Sequence, residues 1–294
     1  MHTIQTPSGQ VLTGLVGPGT QPPEDDGAAL DYVAMPKAMG TYAPPSLPEP
    51  EALPAFGPAV SLLERLQGVL AAYRVGTPPV VLDLSVLDQA NRLMLDQTLG
   101  DGEVSALIAG PRAGRVQETR LAGVWRVRAA CPQADPDGAR EQDHLEVADL
   151  PGLVWAVAFE GAADQASIPM ALPLGVMNAP GVLAEVNAQV AGHQTGAESH
   201  IVNLTLLPQT PEDLACLDAA LGTGPVTLLS RGYGNCRVTA TGVRNCWRVR
   251  HYNSEDRLIL DSIEVTAAPV AVLAAQEDID DSAARLTDIL QAVR

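Results

Sequence analysis

LGDGEVSALIAGPRAGRVQETRLAGVWRVR (residues 99–128) and LGTGPVTLLSRGYGNCRVTATGVRNCWRVR (residues 221–250) are two versions of one stretch. They align at an offset of 122 without a gap. Thirteen of thirty positions are identical, and both copies close on Trp-Arg-Val-Arg, at 125–128 and 247–250. A long stretch repeated at one offset marks a supersecondary unit used twice. Within it, Trp and Val alternate with Arg, the period-two pattern of a half-buried strand. Both segments read mainly as structural, with the outward arginine pairs as candidate contact points.

The pattern extends on both sides. In the first copy Leu62, Leu63, Leu66, Val69, Leu70 and Tyr73 recur at helical spacing, and Val80 to Leu84 reads as a buried strand. In the second, Asn178 can cap a helix with Pro180 in its first turn, and residues 200–206 read as a strand. A second helix follows each strand. Asp88 is its expected cap in copy one. In copy two the cap is Thr210, with Pro211 next and Asp213 three residues on. Short strands with glycine turns then run near 104–109, 115–120, 124–128 and 145–148. Their counterparts lie near 226–230, 236–241, 246–251 and 258–265. Pro151 mirrors Pro269. A last amphipathic helix spans about 277–292, with Ile279, Leu286, Ile289, Leu290 and Val293 in one stripe and acidic residues at its start.

The expected fold class is therefore α+β: two tandem related units, each a mostly antiparallel sheet with helices on one face, a two-layer sandwich. The expected division is a Pro-rich segment over 1–58, a first unit over 59–160, a linker over 161–176 and a second unit over 177–294. Eleven prolines in residues 1–58 favour extended chain there. Either a solvated tail or an arm that wraps the core fits that composition. The two units can be related by an approximate two-fold or stand side by side.

At 294 residues the chain is long enough to bury a real core, and with aromatics at 3% that core must be mainly aliphatic. The net charge of −17 opposes binding to nucleic acid. It serves solubility, or it attracts a basic partner segment. No run of about 18 apolar residues is present, and the first residues lack the basic start and apolar stretch of a signal peptide. The expectation is a cytoplasmic protein with no membrane insertion. Cys131, Cys216, Cys236 and Cys246 form no CxxC pair.

The duplication separates shared scaffold from what one copy adds. Arg231, Gly232, Tyr233, Gly234, Asn235, Cys236 and Arg237 face Ala109 to Arg115 in the alignment, where only the turn glycine and the last arginine are kept. Two glycines around a tyrosine make a tight turn that displays the ring. The stretch is either a recognition loop or a hairpin turn with a packed tyrosine. Cys236 and Cys246 can face each other across a hairpin turning near Gly242, by default as two reduced thiols. Metal, cofactor and catalysis are not expected. GxSxG, GxxxxGK[ST] and HExxH are absent, and the polar cluster His251, Tyr252, Asn253, Ser254 and Glu255 reads as a satisfied turn.

Several stretches together resemble hydrogenase expression proteins of the HupH/HyaF/HoxQ type. They are residues 201–208, Thr210 to Asp213, Gly224 to Thr227, Arg231 to Arg237, the Trp247 strand, Tyr252-Asn253-Ser254 and residues 258–265. The resemblance implies an assembly chaperone, not an enzyme. Its partner would be the iron–sulfur small-subunit precursor of an uptake nickel–iron hydrogenase, which carries a twin-arginine leader. A thioredoxin-like companion chaperone would work beside it. An iron–sulfur scaffold or carrier using Cys236 and Cys246 is the alternative. Residues 231–237 with Tyr252 and Asn253 are the expected partner-binding set.

Overall fold

The computed structural model describes residues 55–130, 141–194, 196–232 and 234–292. Most of the Pro-rich start, Cys131, Tyr233 and Val293 lie outside them. In chain order the elements are α1 (Gly57–Ala72), β1 (Val80–Asp83), α2 (Gln89–Leu99), β2 (Val104–Ile108), β3 (Gly114–Glu118), β4 (Val124–Ala130), β5 (Glu141–Val147) and α3 (Gly152–Val157). Then come α4 (Ala179–Gly192), β6 (His200–Asn203), α5 (Pro211–Leu221), β7 (Val226–Ser230), β8 (Asn235–Ala240), β9 (Cys246–Tyr252), β10 (Leu258–Val265) and α6 (Gln276–Ala292). The repeat appears as the same order of elements in both halves.

All ten strands join one antiparallel sheet in the order β1-β5-β4-β3-β2-β7-β8-β9-β10-β6. Outward from the centre, the equivalent strands follow in the same sequence on both sides. At the centre Ala106 pairs with Leu228, which is its own equivalent 122 residues on. An antiparallel pairing of equivalent residues makes the relation a local two-fold, which decides between the two arrangements the sequence left open. Because one face of the sheet must be buried, a slip of one residue here would turn every side chain over.

One face carries the helices. Over the first half, α1, α2 and α6 pack on Leu82, Val124, Leu145 and Val147. Over the second half, α4 and α5 pack on Val202, Cys246, Ile263 and Val265. The expected layering differs in one respect. Helix α3 and a 3-10 turn at Val270–Val272 pack on the opposite face, over Trp125, Trp247 and the central strands. The sheet is thus covered in part on both faces. Pro151 and Pro269 precede these two elements, so this is where the mirrored prolines act.

Helix α6 crosses to the first half. Ile279, Leu286 and Leu290 are buried in the α1–α2 core, each worth up to about 2 kcal/mol. The side chain of Gln276 accepts from the Val75 N–H at 2.9 Å and donates to the Tyr73 carbonyl. Ile279 sits against Gly123, whose φ of +76° and lack of a Cβ leave it room.

The strand expected to be buried at residues 80–84 is an edge, and so is its counterpart β6. β1 pairs only with β5 and β6 only with β10. Val80, Val81 and Ile201 are accordingly exposed, and only Leu82 and Val202 reach the helices. The capping expectations divide. The Asp88 side chain accepts from the Asn91 N–H, and Thr210 and Asp213 form a full capping box. Asn178 makes no side-chain cap. Asp213 Oδ1 replaces it, accepting from the N–H groups of Met177, Asn178 and Ala179 at 2.8, 2.8 and 2.9 Å.

Candidate partner-binding site

The Trp-Arg-Val-Arg segments lie in β4 and β9. In each, the indole N–H donates to a carbonyl across the sheet, Trp125 to Ala148 and Trp247 to Thr266. The arginines turn to the helix face. Arg126 is held by Asp143 at 2.5 and 2.8 Å and by Asp96 of α2 at 2.8 Å. Arg248 is held by Asp261 at 2.5 and 2.6 Å and by Asp218 of α5 at 3.3 Å. Arg126 and Arg248 are buried. They are structural clamps between sheet and helix, not the outward contact points their alternation suggested. Arg128 and Arg250 reach the same carboxylates from nearer the surface.

The register sets Arg115 opposite Arg128 and Arg237 opposite Arg250. The middle of the helix face therefore carries six arginines against Asp96, Asp143, Asp218 and Asp261. This local surplus of positive charge stands in a chain of net charge −17.

The second copy adds to this frame at the β7–β8 turn. The Arg231 N–H donates to the Glu103 carbonyl, and its guanidinium approaches the Gly102 carbonyl at 3.5 Å. The turn is thereby tied to the start of β2 in the first copy. A Cβ at Gly232 would come within 2.2 Å of Glu103 Oε2, and Gly234 has φ +101°, a backbone that L side chains rarely adopt. Gly234 is required by the backbone of the turn, whereas a side chain at Gly232 would only displace the flexible Glu103 carboxylate. Asn235 pairs with Tyr252 across β8 and β9, and the Arg237 guanidinium sits 5.7 Å from the Tyr252 ring centroid, a cation–π distance. Asn235, Arg237 and Tyr252 thus share the helix face, where copy one has Ala113, Arg115 and Ala130.

Two of the expected site residues do other work. Asn253 shapes the β9–β10 turn, its side-chain oxygen accepting from the N–H groups of Glu255 and Arg257, both at 2.9 Å. Cys236 points to the other face, 3.7 Å from His251 Nε2 and beside Ser230. The sequence offered no sign of the Cys236–His251 pair, because it depends on the register between two strands. Burial pushes the Cys236 thiol up to about 12, so it is no ready nucleophile.

Cys246 does not face Cys236. It pairs with Val265 in the α4–α5 core, on the opposite face of the sheet, and burial raises it to about 11. The expected hairpin juxtaposition fails because the turn places Trp247 opposite Ala240 and His251 opposite Cys236. Among the described residues, no group of three or more His, Cys, Asp and Glu side chains is arranged to hold a metal ion. No described helix is long and apolar enough to cross a membrane.

This frame, one unit folded twice with its own turn in the second copy, matches a known family model. The model of the HupH hydrogenase expression protein, C-terminal conserved region, matches residues 58–167 and again residues 176–293. The chain belongs to the HupH hydrogenase expression protein family. Its relatives in that family include the hydrogenase expression/formation protein HoxQ of Cupriavidus necator, 44% identical over 95% of this chain and 96% of that one. The hydrogenase expression/formation protein HupQ of Azotobacter chroococcum is 47% identical over 94% and 95%. The hydrogenase-1 operon protein HyaF of Escherichia coli is 31% identical over 94% and 95%. A solved hydrogenase expression protein HupH from Thiobacillus denitrificans is 29% identical, covering 39% of this chain and 94% of its own, with a TM-score of 0.35. Both matches to the HupH model include a Trp-Arg-Val-Arg clamp, and the second includes the turn at 231–237.

Proposed function

We propose that this protein is a hydrogenase assembly chaperone. It binds the iron–sulfur small-subunit precursor of an uptake nickel–iron hydrogenase in the cytoplasm, before twin-arginine export, with a thioredoxin-like companion chaperone beside it. It performs no catalysis and keeps no cofactor. The observation that carries this reading is the family match over both halves, together with relatives named hydrogenase expression/formation proteins over nearly their whole length. The contact lies at Arg231, Gly232, Tyr233, Gly234, Asn235 and Arg237 with Tyr252. Gly232 and Arg237 have counterparts in copy one while the others are particular to the second copy, and Asn235, Arg237 and Tyr252 share one face with the Arg237 guanidinium near the Tyr252 ring. Cys236 lies on the opposite face of the sheet and Asn253 shapes the neighbouring β9–β10 turn. The iron–sulfur carrier reading loses its basis once Cys236 and Cys246 lie on opposite faces of the sheet.

Co-purification with a tagged small-subunit precursor tests the proposal. Capture by the wild-type chain is expected. It should weaken with Tyr233→Ala combined with Asn235→Ala while the thermal transition stays in place. Failure to capture the precursor with or without its leader would refute the chaperone reading. Undiminished capture by the double variant would return the turn to a structural role.

A further inference from the structure

The helix layer leaves the middle of the sheet open. Under the helices, the two cores draw on β1, β4 and β5 in the first half and on β6, β9 and β10 in the second. No described side chain of β2, β3, β7 or β8 enters either core. Alternate residues of these strands, such as Ala106, Val116, Leu228 and Val238, belong to the core on the opposite face. The four central strands therefore floor a trough between α2 and α5. Three strand spacings separate β3 from β8, about 14 Å in all, and a helix with its side chains is about 10–12 Å across. The floor is wide enough to seat one helical segment.

The register gives the floor its chemistry. Gln117, Ser105, Leu229 and Arg237 lie in one row across the strands. Arg115, Leu107, Thr227 and Thr239 lie in the next, and each is the equivalent, 122 residues away, of a member of the first. Leucine, hydroxyl and amide groups thus lie between two arginines related by the two-fold, exposed Arg115 on β3 and half-buried Arg237 on β8. The clamps already engage the carboxylates along the sides. Asp96 and Asp143 bond to Arg126 and Arg128, and Asp218 and Asp261 to Arg248 and Arg250. Arg115 and Arg237 bring further positive charge to rows that contain no carboxylate. Glu103 lies at the end of the trough, beside Gly232 and Arg231.

Opposite charges across an interface attract and like charges exclude one another. An acidic segment with apolar side chains over Leu107 suits this floor, and a basic one is disfavoured. The two-fold is broken at one end, where Asn235 and Tyr252 stand beside Arg237 and the first copy has Ala113 and Ala130. The turn of the second copy thereby gives the trough a direction. We propose that the trough over β3, β2, β7 and β8 seats an acidic helical segment of the protein's client, gripped by Arg115 and Arg237. The identity of the client rests on the chaperone reading above, whereas the acidic chemistry rests on the trough. The segment belongs to the body of the client, because a basic leader would meet like charge here.

The test uses the full chain and a fluorescent peptide of alanine and leucine with glutamates at helical spacing, read by anisotropy. Wild type should bind it, and should bind a counterpart with lysines in place of the glutamates about tenfold more weakly or worse. Arg115→Glu should weaken binding of the acidic peptide about tenfold, and adding Arg237→Glu should weaken it further, because attraction becomes repulsion. Arg65→Glu, the same change of charge at an exposed site on α1, should not. Arg115 is exposed and lies outside the β7–β8 turn, so the single variant should keep the fold, which circular dichroism checks. No binding of the acidic peptide, equal binding of the two peptides, or equal affinities for Arg115→Glu and Arg65→Glu overturns the proposal. Capture of the precursor without its leader, run in parallel, keeps the two readings apart. Capture that Arg115→Glu leaves intact sinks this proposal alone. Peptide binding that depends on Arg115, without capture of the precursor in either form, sinks the chaperone reading alone.

Discussion

Asp213 offers a sharp test of how the second half is held together. Its side chain is fully buried. Oδ1 accepts three backbone N–H groups at the start of α4, and Oδ2 accepts the Thr210 N–H at 3.1 Å. One carboxylate therefore caps α4 and closes the capping box of α5. Burial by itself would raise its pKa, but these donors outweigh burial and hold the group well below the ordinary carboxylate range. Asp213→Ala strands four N–H groups. At roughly 1 kcal/mol or more for each donor left unmade, the loss is about 4 kcal/mol, a large part of a domain's usual stability. Asp213→Asn keeps one acceptor oxygen for the three α4 donors but turns an NH2 toward the Thr210 N–H. Its loss should be about half as large. The sign with pH follows from the lowered value. The contribution is full above the unfolded pKa of about 4 and fades as pH falls through the lower folded value. Urea unfolding of the full chain at neutral pH measures all of this through the midpoint at constant slope. An Asp213→Ala protein within about 1 kcal/mol of wild type would refute the shared-cap argument.

Two further substitutions probe one difference between the copies and one feature they share. Burial raises Glu118 to about 7 from an ordinary 4.5, partly offset by the Gly123 N–H. The equivalent position in copy two is Ala240. The folded value lies above the unfolded one, so there is no cost below pH 4.5, where both states are protonated, and stability falls as pH rises toward 7. The penalty approaches about 3 kcal/mol in alkaline solution. Glu118→Gln should therefore raise the melting temperature at pH 8 and flatten its pH dependence, and an unchanged profile would refute the assignment. Arg248→Met leaves the buried Asp261 with Arg250 alone, at 3.6 Å, and should cost up to about 3 kcal/mol, while adding Asp261→Leu should recover most of it. A single variant as stable as wild type would show that the clamp contributes nothing.

Much of this was legible in the residues because the signals are local. The caps at Asp88 and Thr210 close within three residues, and β7 begins and ends at the expected residues. The period-two alternation around Trp125 and Trp247 placed both strands and their structural role but not the partners of their arginines. A strand pattern says which side chains share a face and nothing of what lies across from them. Asp96 and Asp218, on α2 and α5, turn that face from a contact surface into a clamp. The turn at 231–237 was visible as a difference between copies, whereas its division between two faces, Arg237 with Tyr252 and Cys236 with His251, depends on register alone.

Taken by itself, the chain's sequence determined the duplication, the order of helices and strands in each copy, the α+β class and the turn that singles out the second copy. Each follows from periodicity, capping geometry or direct comparison of one copy with the other. Only the tertiary structure decided that equivalent strands β2 and β7 meet about a two-fold, that α6 packs on the first half, and that one carboxylate caps two helices. The physical reason is degeneracy. Two copies of one unit offer the same strand edges and the same apolar stripes, so local pattern cannot say which copy a helix or an edge will meet. That choice is made by long-range packing and register, and it places the paired arginines and the decorated turn where they stand.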